Sequence, residues 1–380
     1  MKLRLVAVAA GVLILVALTS PSSVPAGFES KKSSRYLESW SPITGVAPRD
    51  AFVGSQACAG CHTDLGKTAP QTPMGQAMLL PNQFDLLHGQ KQLTFRHGPF
   101  RFDIHRQGDQ FMYSVGDGKD TLSEPILYAF GYGLKGQTFV FLHDGTYYES
   151  HVSYYTNVRG LDITFGHSYE VPDSLDKALG RIMSPADTLL CFACHSTAAV
   201  IQGRLDAHAL MPGVGCEDCH GPGDEHVAAM KAGKFDSPHV FNPGRLEPGD
   251  LVDFCGNCHR TWEQVVKMQV FGVRNVRFQP YRLSNSRCWS YDDARVSCVA
   301  CHDPHLNLPP EAASYDSKCL ACHVSGRGAR PDKTHPGRPC PVAKQNCITC
   351  HMPKYTLPEG KSEFTDHFIR VVRKGAPYPD

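Results

Sequence analysis

Cys216-Glu217-Asp218-Cys219-His220-Gly221-Pro222-Gly223-Asp224-Glu225-His226 is the stretch on which the reading of this 380-residue chain turns. Its first five residues follow the pattern Cys-x-x-Cys-His. The pattern recurs at Cys58, Cys61, His62; at Cys191, Cys194, His195; at Cys255, Cys258, His259; at Cys298, Cys301, His302; at Cys319, Cys322, His323; and at Cys347, Cys350, His351. Such a unit sets two thiols about one helical turn apart with an imidazole directly after them. It is the attachment pattern of a c-type haem: the thiols add across the porphyrin vinyl groups and the His meets the iron from the proximal side. Zinc sites also use Cys pairs, but they give no reason for a His after the second Cys every time. Disulfides between such near neighbours need strained loops and leave the His without a role. Seven covalently attached c-type haems, each with its iron, are therefore expected. They use fourteen of the sixteen Cys.

The rest of the composition narrows the setting. Lys2 and Arg4 followed by the apolar run from Leu5 to Thr19 and by Val24-Pro25-Ala26 read as a secretory signal over 1–26. The run is shorter than the roughly 20 residues of a spanning helix, so no membrane span is expected after cleavage. A periplasmic or extracellular bacterial location follows and suits haem attachment, which takes place outside the cytoplasmic membrane. The formal charge of +1 offers no basic stripe for nucleic acid. Gly 34 and Pro 28 make a loop-rich chain without reaching the level of disorder.

The motifs are unevenly spread. Six fall between Cys191 and His351, whereas 63–190 contains no Cys. Within that gap Phe100, Phe102 and Ile104 alternate with Arg101, Asp103 and His105, the period of a half-buried strand. Gly116-Asp117-Gly118 and Asp144-Gly145 supply hairpin turns, and Phe139, Phe141, Tyr147, Tyr148, Tyr154 and Tyr155 supply cross-strand and core aromatics. Elsewhere, Ser184-Pro185-Ala186-Asp187 starts a helix that leads into Cys191, and 248–267 reads as one helical stretch. The expected organisation is a signal at 1–26, a linker at 27–50, a first haem-binding segment at 51–83, a haem-free β insertion at 84–170, a hexahaem region at 171–370 and a tail at 371–380, disordered from Gly375 to Asp380.

The motif regions resemble a known family. Cys216 to His226 looks like the signature of the cytochrome c-554-like multihaem family. Cys298-Val-Ala-Cys-His302-Asp-Pro-His305 followed by Cys319 to His323 resembles the doubled CXXCH motif of multihaem cytochromes. Cys347 to Pro353, with Thr365-Asp366-His367 after it, looks like the C-terminal pattern of related bacterial cytochromes. The resemblance covers the haem parts only and implies an α+β fold: a loop-rich multihaem cytochrome domain of short helices packed around haems, interrupted by a small antiparallel β domain. It also implies distal ligands at His226, His305 and His367. His335, in a Pro/Gly loop between the last two motifs, is a fourth candidate. His167, His208, His151 and His239 form a second rank, and His88, His97, His105 and His143 read as strand or surface residues. The family's Trp-x-x-Ser-x-His pattern after the first motif is absent. Met74 of Thr72-Pro73-Met74 stands where that His would fall, so a His/Met haem is expected in the array. Cys288 and Cys340 are left over and, in an exported protein, suggest a disulfide.

Electron transfer through a closely spaced haem array is the first functional expectation, with redox proteins as partners and the oligomeric state open. A multihaem oxidoreductase reducing a small nitrogen or sulfur compound at one open haem is the second. A subunit of a polymeric cytochrome wire is the third.

Overall fold

The structure, a computed structural model, describes residues 47–83, 85–236, 239–323, 337–357, 361–373 and 375–379. The expected signal, nearly all of the linker and His335 lie outside the described residues. The architecture is α+β, with antiparallel sheets in the first half of the described chain and short helices in the second.

Up to residue 182 the strands are β1 Met78–Leu79, β2 Gln92–His97, β3 Phe100–Gln107, β4 Gln110–Gly116, β5 Thr121–Pro125, β6 Tyr128–Phe130, β7 Thr138–His143, β8 Thr146–Ser150, β9 Val152–Tyr155, β10 Gly160–Ile163 and β11 Gly180–Ile182, and three short antiparallel pairs follow among the helices. Strands β2, β3, β4 and β5 form one meander; a second sheet runs β1-β6-β7-β8-β11; β9 pairs with β10. Along β3, Phe100, Phe102 and Ile104 are buried, Arg101 is exposed, and Asp103 and His105 are half-buried, as the alternation requires. In the β2–β3–β4 register Phe102 lies between Phe95 and Val115, and Ile104 between Leu93 and Tyr113. These residues share one core with Phe139, Phe141 and Tyr154. Asp144 and Gly145 take φ of 48° and 75°, the two left-handed residues that a type I′ hairpin demands. The second sheet takes β1 and β11 from outside 84–170, because the edge strands β6 and β8 need partners for their outer hydrogen bonds.

The helices are α1 Ser55–Ala59, α2 Thr63–Thr68, α3 Leu175–Leu179, α4 Pro185–His195, α5 Cys216–His220, α6 Asp224–Lys231, α7 Pro248–His259, α8 Trp262–Met268, α9 Gln279–Ser284, α10 Cys298–Cys301, α11 Asp316–His323 and α12 Cys347–His351. Ser184 caps α4 by accepting from the Asp187 amide at 3.1 Å, with Pro185 in the first turn. The stretch 248–267 is two helices rather than one. Arg260 at φ 69° ends α7, and Thr261 with Gln264 forms a capping box that starts α8. The expected disordered tail is also corrected: Tyr378 donates to Asn275 Oδ1 (2.7 Å), and the Pro379 carbonyl accepts from Arg282 (2.9 Å). Buried polar partners hold this segment where composition suggested none. No described helix is long and apolar enough to cross a membrane.

Candidate haem sites

Six of the seven Cys-x-x-Cys-His units have both Cys in a turn of helix, alone or as the last turn of a longer one, whereas in the first α1 ends at Ala59 and Cys61 follows in a turn. The units sit in or at the end of α1, α4, α5, α7, α10, α11 and α12. The turn brings both thiols to one face. The backbone closes it directly: the amides of His62 and His302 each bond the carbonyl of the motif's first Cys at 2.9 Å.

Four of the seven motif imidazoles are then oriented by backbone carbonyls, whereas His302 Nδ1 is buried without a hydrogen-bond partner. Nδ1 donates to Ala77 O from His195 (3.0 Å), to Phe241 O from His220 (2.9 Å), to Arg338 O from His323 (2.8 Å) and to Arg370 O from His351 (2.9 Å). A committed Nδ1–H fixes the tautomer and leaves Nε2 as the bare nitrogen that binds metal. Burial lowers the pKa of His195, of His259 and of His302, favouring the neutral ring that ligation requires.

Three of the four distal candidates are described, and each faces a motif His. The ring centroids of His62 and His226 are 6.3 Å apart, of His220 and His305 6.2 Å, and of His302 and His367 6.2 Å. Metal–imidazole bonds are about 2 Å long, and the ring centroid lies roughly 1 Å behind the ligating atom, so two imidazoles on opposite sides of one metal have centroids roughly 6 Å apart. The three gaps match that spacing. His367 is half-buried and its pKa falls to about 4, through burial first and then the nearby His302 and His259. Sequence reasoning named these three residues but not their partners: each distal His follows a motif other than the one it faces.

The thiols place the motifs relative to one another. Cys58 lies within hydrogen-bonding reach of Cys216, Cys194 of Cys258, Cys255 of Cys298 and Cys319 of Cys347. Helices α1 and α5, α7 and α10, and α11 and α12 pack accordingly. Cys219 acts electrostatically on Cys255, and Cys319 on Cys301. These sulfur atoms stand where thioethers would join a porphyrin. The motifs therefore run first, third, fourth, fifth, sixth, seventh in space, and the second abuts the fourth. Cys61 and Cys350, near the two ends of that line, are exposed.

Two acids inside the third motif hold this arrangement. Buried Glu217 accepts from the amides of Val53 (2.8 Å), Gly54 (2.7 Å) and Gly223 (2.9 Å), tying α5 to the entries of α1 and α6. Gly223 is required there, since a Cβ would sit 2.9 Å from Val53 Cγ2 and 3.1 Å from Glu217 Oε1. Asp218 is pushed up to about 8 by burial, although Thr197 and the Gly215 amide donate to it.

Other candidates lie elsewhere. Among the second-rank histidines, His151 Nε2 is 3.2 Å from His97 Nδ1, His167 Nε2 is 3.0 Å from Glu149, and His239 is 3.4 Å from Glu225. His105 pairs with Asp103 and His143 with Glu124, both at 2.7 Å, and His88 stacks on Tyr154. The backbone amide of His208 bonds Asp206. The Met74 carbonyl accepts from Ala77 and Val214, and His226 faces the first motif's His62. The expected disulfide is corrected: Cys288 and Cys340 are both free. Cys288 is half-buried near the thiols of Cys319, Cys322 and Cys301, and the Cys340 thiol takes hydrogen bonds from the amides of Val342 and Ala343.

The donor set fits haem. Paired imidazole rings stand at axial spacing, with paired thiols beside them. Arg277 Nε is buried without a hydrogen-bond partner, and the neighbouring Arg260 and Arg274 help burial lower its pKa, so an anionic propionate would be well received there.

Residues 172–221, which hold the second and third motifs, match the family described as cytochrome c554 and c-prime. The chain is 24% identical over 198 residues to the multiheme cytochrome MtrA of Shewanella baltica (strain OS185), a match covering 48% of this chain and 51% of that protein. It thus spans about half the length of that relative. The crystal structure of the outer cell wall cytochrome OcwA is similar at a TM-score of 0.47 and 16% identity, over 85% of this chain and 80% of that one. Taken with five further copies of the motif outside the matched segment, the family and the curated relative identify the chain as a multihaem c-type cytochrome.

Proposed function

We propose that the chain is an exported heptahaem electron relay, with haem on all seven motifs and imidazole from His226, His305 and His367 as the second ligand on the irons of the first, third and fifth motifs. Haem, when bound, supplies a one-electron Fe(III)/Fe(II) couple. The observation that carries the reading is the unbroken line of neighbouring motif thiols. A thioether fixes its sulfur to the porphyrin edge, so adjacent sulfurs bring edges together and make each transfer short. The exposed ends at Cys61 and Cys350 favour docking of redox proteins there, in the periplasm or outside the cell. His335 is assigned to a motif of the 171–370 region, and Met74 to one iron of the array. The haem-free segment 84–170 shields one side of the array.

A second reading, reduction of a small nitrogen or sulfur compound at one open haem, draws on a specific observation. Among the described residues, no second imidazole stands at axial spacing from His195 or His259. Mass spectrometry with EPR of the oxidised protein separates the two. A relay gives seven haems and low-spin signals only. Fewer than six haems would overturn the heptahaem reading, and a high-spin signal displaced by added nitrite or sulfite would favour the second.

A further inference from the structure

One carboxylate sits between two haem sites and belongs to neither motif. Asp366 and Arg282 are both fully buried. Arg282 grips Asp366 with two bonds, Nε to Oδ1 at 2.8 Å and Nη2 to Oδ2 at 3.0 Å. Arg370 donates to the same Oδ2, and the Phe368 amide donates to Oδ1 at 3.0 Å. Four donors thus use the four lone-pair directions of an ionised carboxyl.

The network leads to two axial histidines. On one side Asp366 directly precedes His367, whose ring faces His302 of the fifth motif. On the other, the carbonyl of Arg370 holds His351 Nδ1 of the seventh motif (2.9 Å), and the Arg370 amide donates to the His351 carbonyl (3.2 Å). The Asp366 amide bonds the Pro353 carbonyl at 2.9 Å, two residues beyond His351. Aromatic rings keep the charges dry: the Arg282 guanidinium lies over Tyr378 (4.5 Å), and Arg370 lies over Phe368 (4.9 Å). A buried ion pair is weak evidence for stability, because desolvation opposes the attraction; its best attested role is to specify one geometry.

We infer that Asp366, clamped by Arg282 and Arg370, is a positioning residue that sets the axial ligands of two haems together, His367 on the fifth and His351 on the seventh. The inference rests on the proposed ligation by His367 and His351. It ties those two haems together although the sixth lies between them in the line of thiols.

The test is Asp366→Asn in the holoprotein, with haem count by mass spectrometry, EPR of the oxidised state and a redox titration. His367→Met marks the fifth haem's signal; if it alters no signal, the ligation reading fails, not the positioning. Asp366→Asn is expected to keep every haem, to move the marked signal and one other, and to shift two midpoint potentials while the rest overlay the parent. Movement of the marked signal alone, or of none, overturns the inference. Should Asp366→Asn lose haem throughout, Tyr378→Phe is read instead, since it removes only the hydroxyl bond to Asn275 beside Arg282. The same two signals must then move in a small, matching way, and an unchanged spectrum overturns the inference.

Discussion

Glu217→Gln should loosen the first and third motifs together. Glu217 Oε1 accepts from the amides of Val53 and Gly223, and Oε2 from that of Gly54. Gln keeps one carbonyl oxygen, which can serve Val53 and Gly223 as a neutral acceptor. Its NH2 then faces the Gly54 N–H, two donors opposed. Hydrogen bonds to charged groups are worth roughly 1.5–3 kcal/mol each, and neutral ones about 1 kcal/mol. One bond lost outright and two reduced to neutral strength give a destabilisation of about 4 kcal/mol. Because Gly54 opens α1 and Gly223 opens α6, the damage falls on the His62–His226 pair. Urea unfolding followed by haem absorbance measures the first effect, and the EPR signal of the first haem measures the second. Glu225→Gln is the control, since Glu225 pairs only at the surface with His239. A loss below about 1 kcal/mol would refute the assignment of Glu217 as an anchor, since that is what one neutral hydrogen bond contributes.

Acid should weaken the β region through His151, whose pKa is lowered to about 4 by burial first and then by His167 and His97. The unfolded chain binds this proton near pH 6.5 and the folded one only near 4. Stability is therefore full above about pH 6.5 and falls toward pH 4, by at most about 3 kcal/mol; urea midpoints of His151→Phe and parent over that range should converge as pH falls. Thiol labelling of the denatured, unreduced holoprotein should find two free thiols, Cys288 and Cys340; none would restore the disulfide. Gly223→Ala should cost about 1–3 kcal/mol by overpacking against Val53 and Glu217, with its unfolding midpoint as the readout.

The sequence shows some of this plainly and hides the rest for physical reasons. The motif is local chemistry and can be read at sight, and β3 alternates because one of its faces is buried. His226, His305 and His367 were legible as distal candidates through family likeness, but the motif His that each one faces was not. That pairing is set by how α5, α6 and α10 pack, and no local spacing encodes packing. The break between α7 and α8 was legible in Thr261-Trp-Glu-Gln264 and was passed over, because the apolar residues on either side share one helical period. The anchoring of Tyr378 and Pro379 was hidden, since their partners Asn275 and Arg282 lie roughly a hundred residues earlier. Parity in an exported chain suggested the Cys288–Cys340 pair; the structure leaves both thiols free.

The bonds that orient the motif imidazoles also set an order in time. His220, His323 and His351 are held by carbonyls 21, 15 and 19 residues further along, so each can be locked soon after its motif emerges. His195 leans on Ala77, 118 residues earlier, and is ready as soon as the intervening strands have folded. The first motif is different, because its ring His62 faces His226, well over a hundred residues downstream. During export its haem would be carried on one protein ligand through the making of the whole β region, and would close only when α6 arrives. On the proposed reading, a haem attached at the first motif would be among the last to gain its second protein ligand.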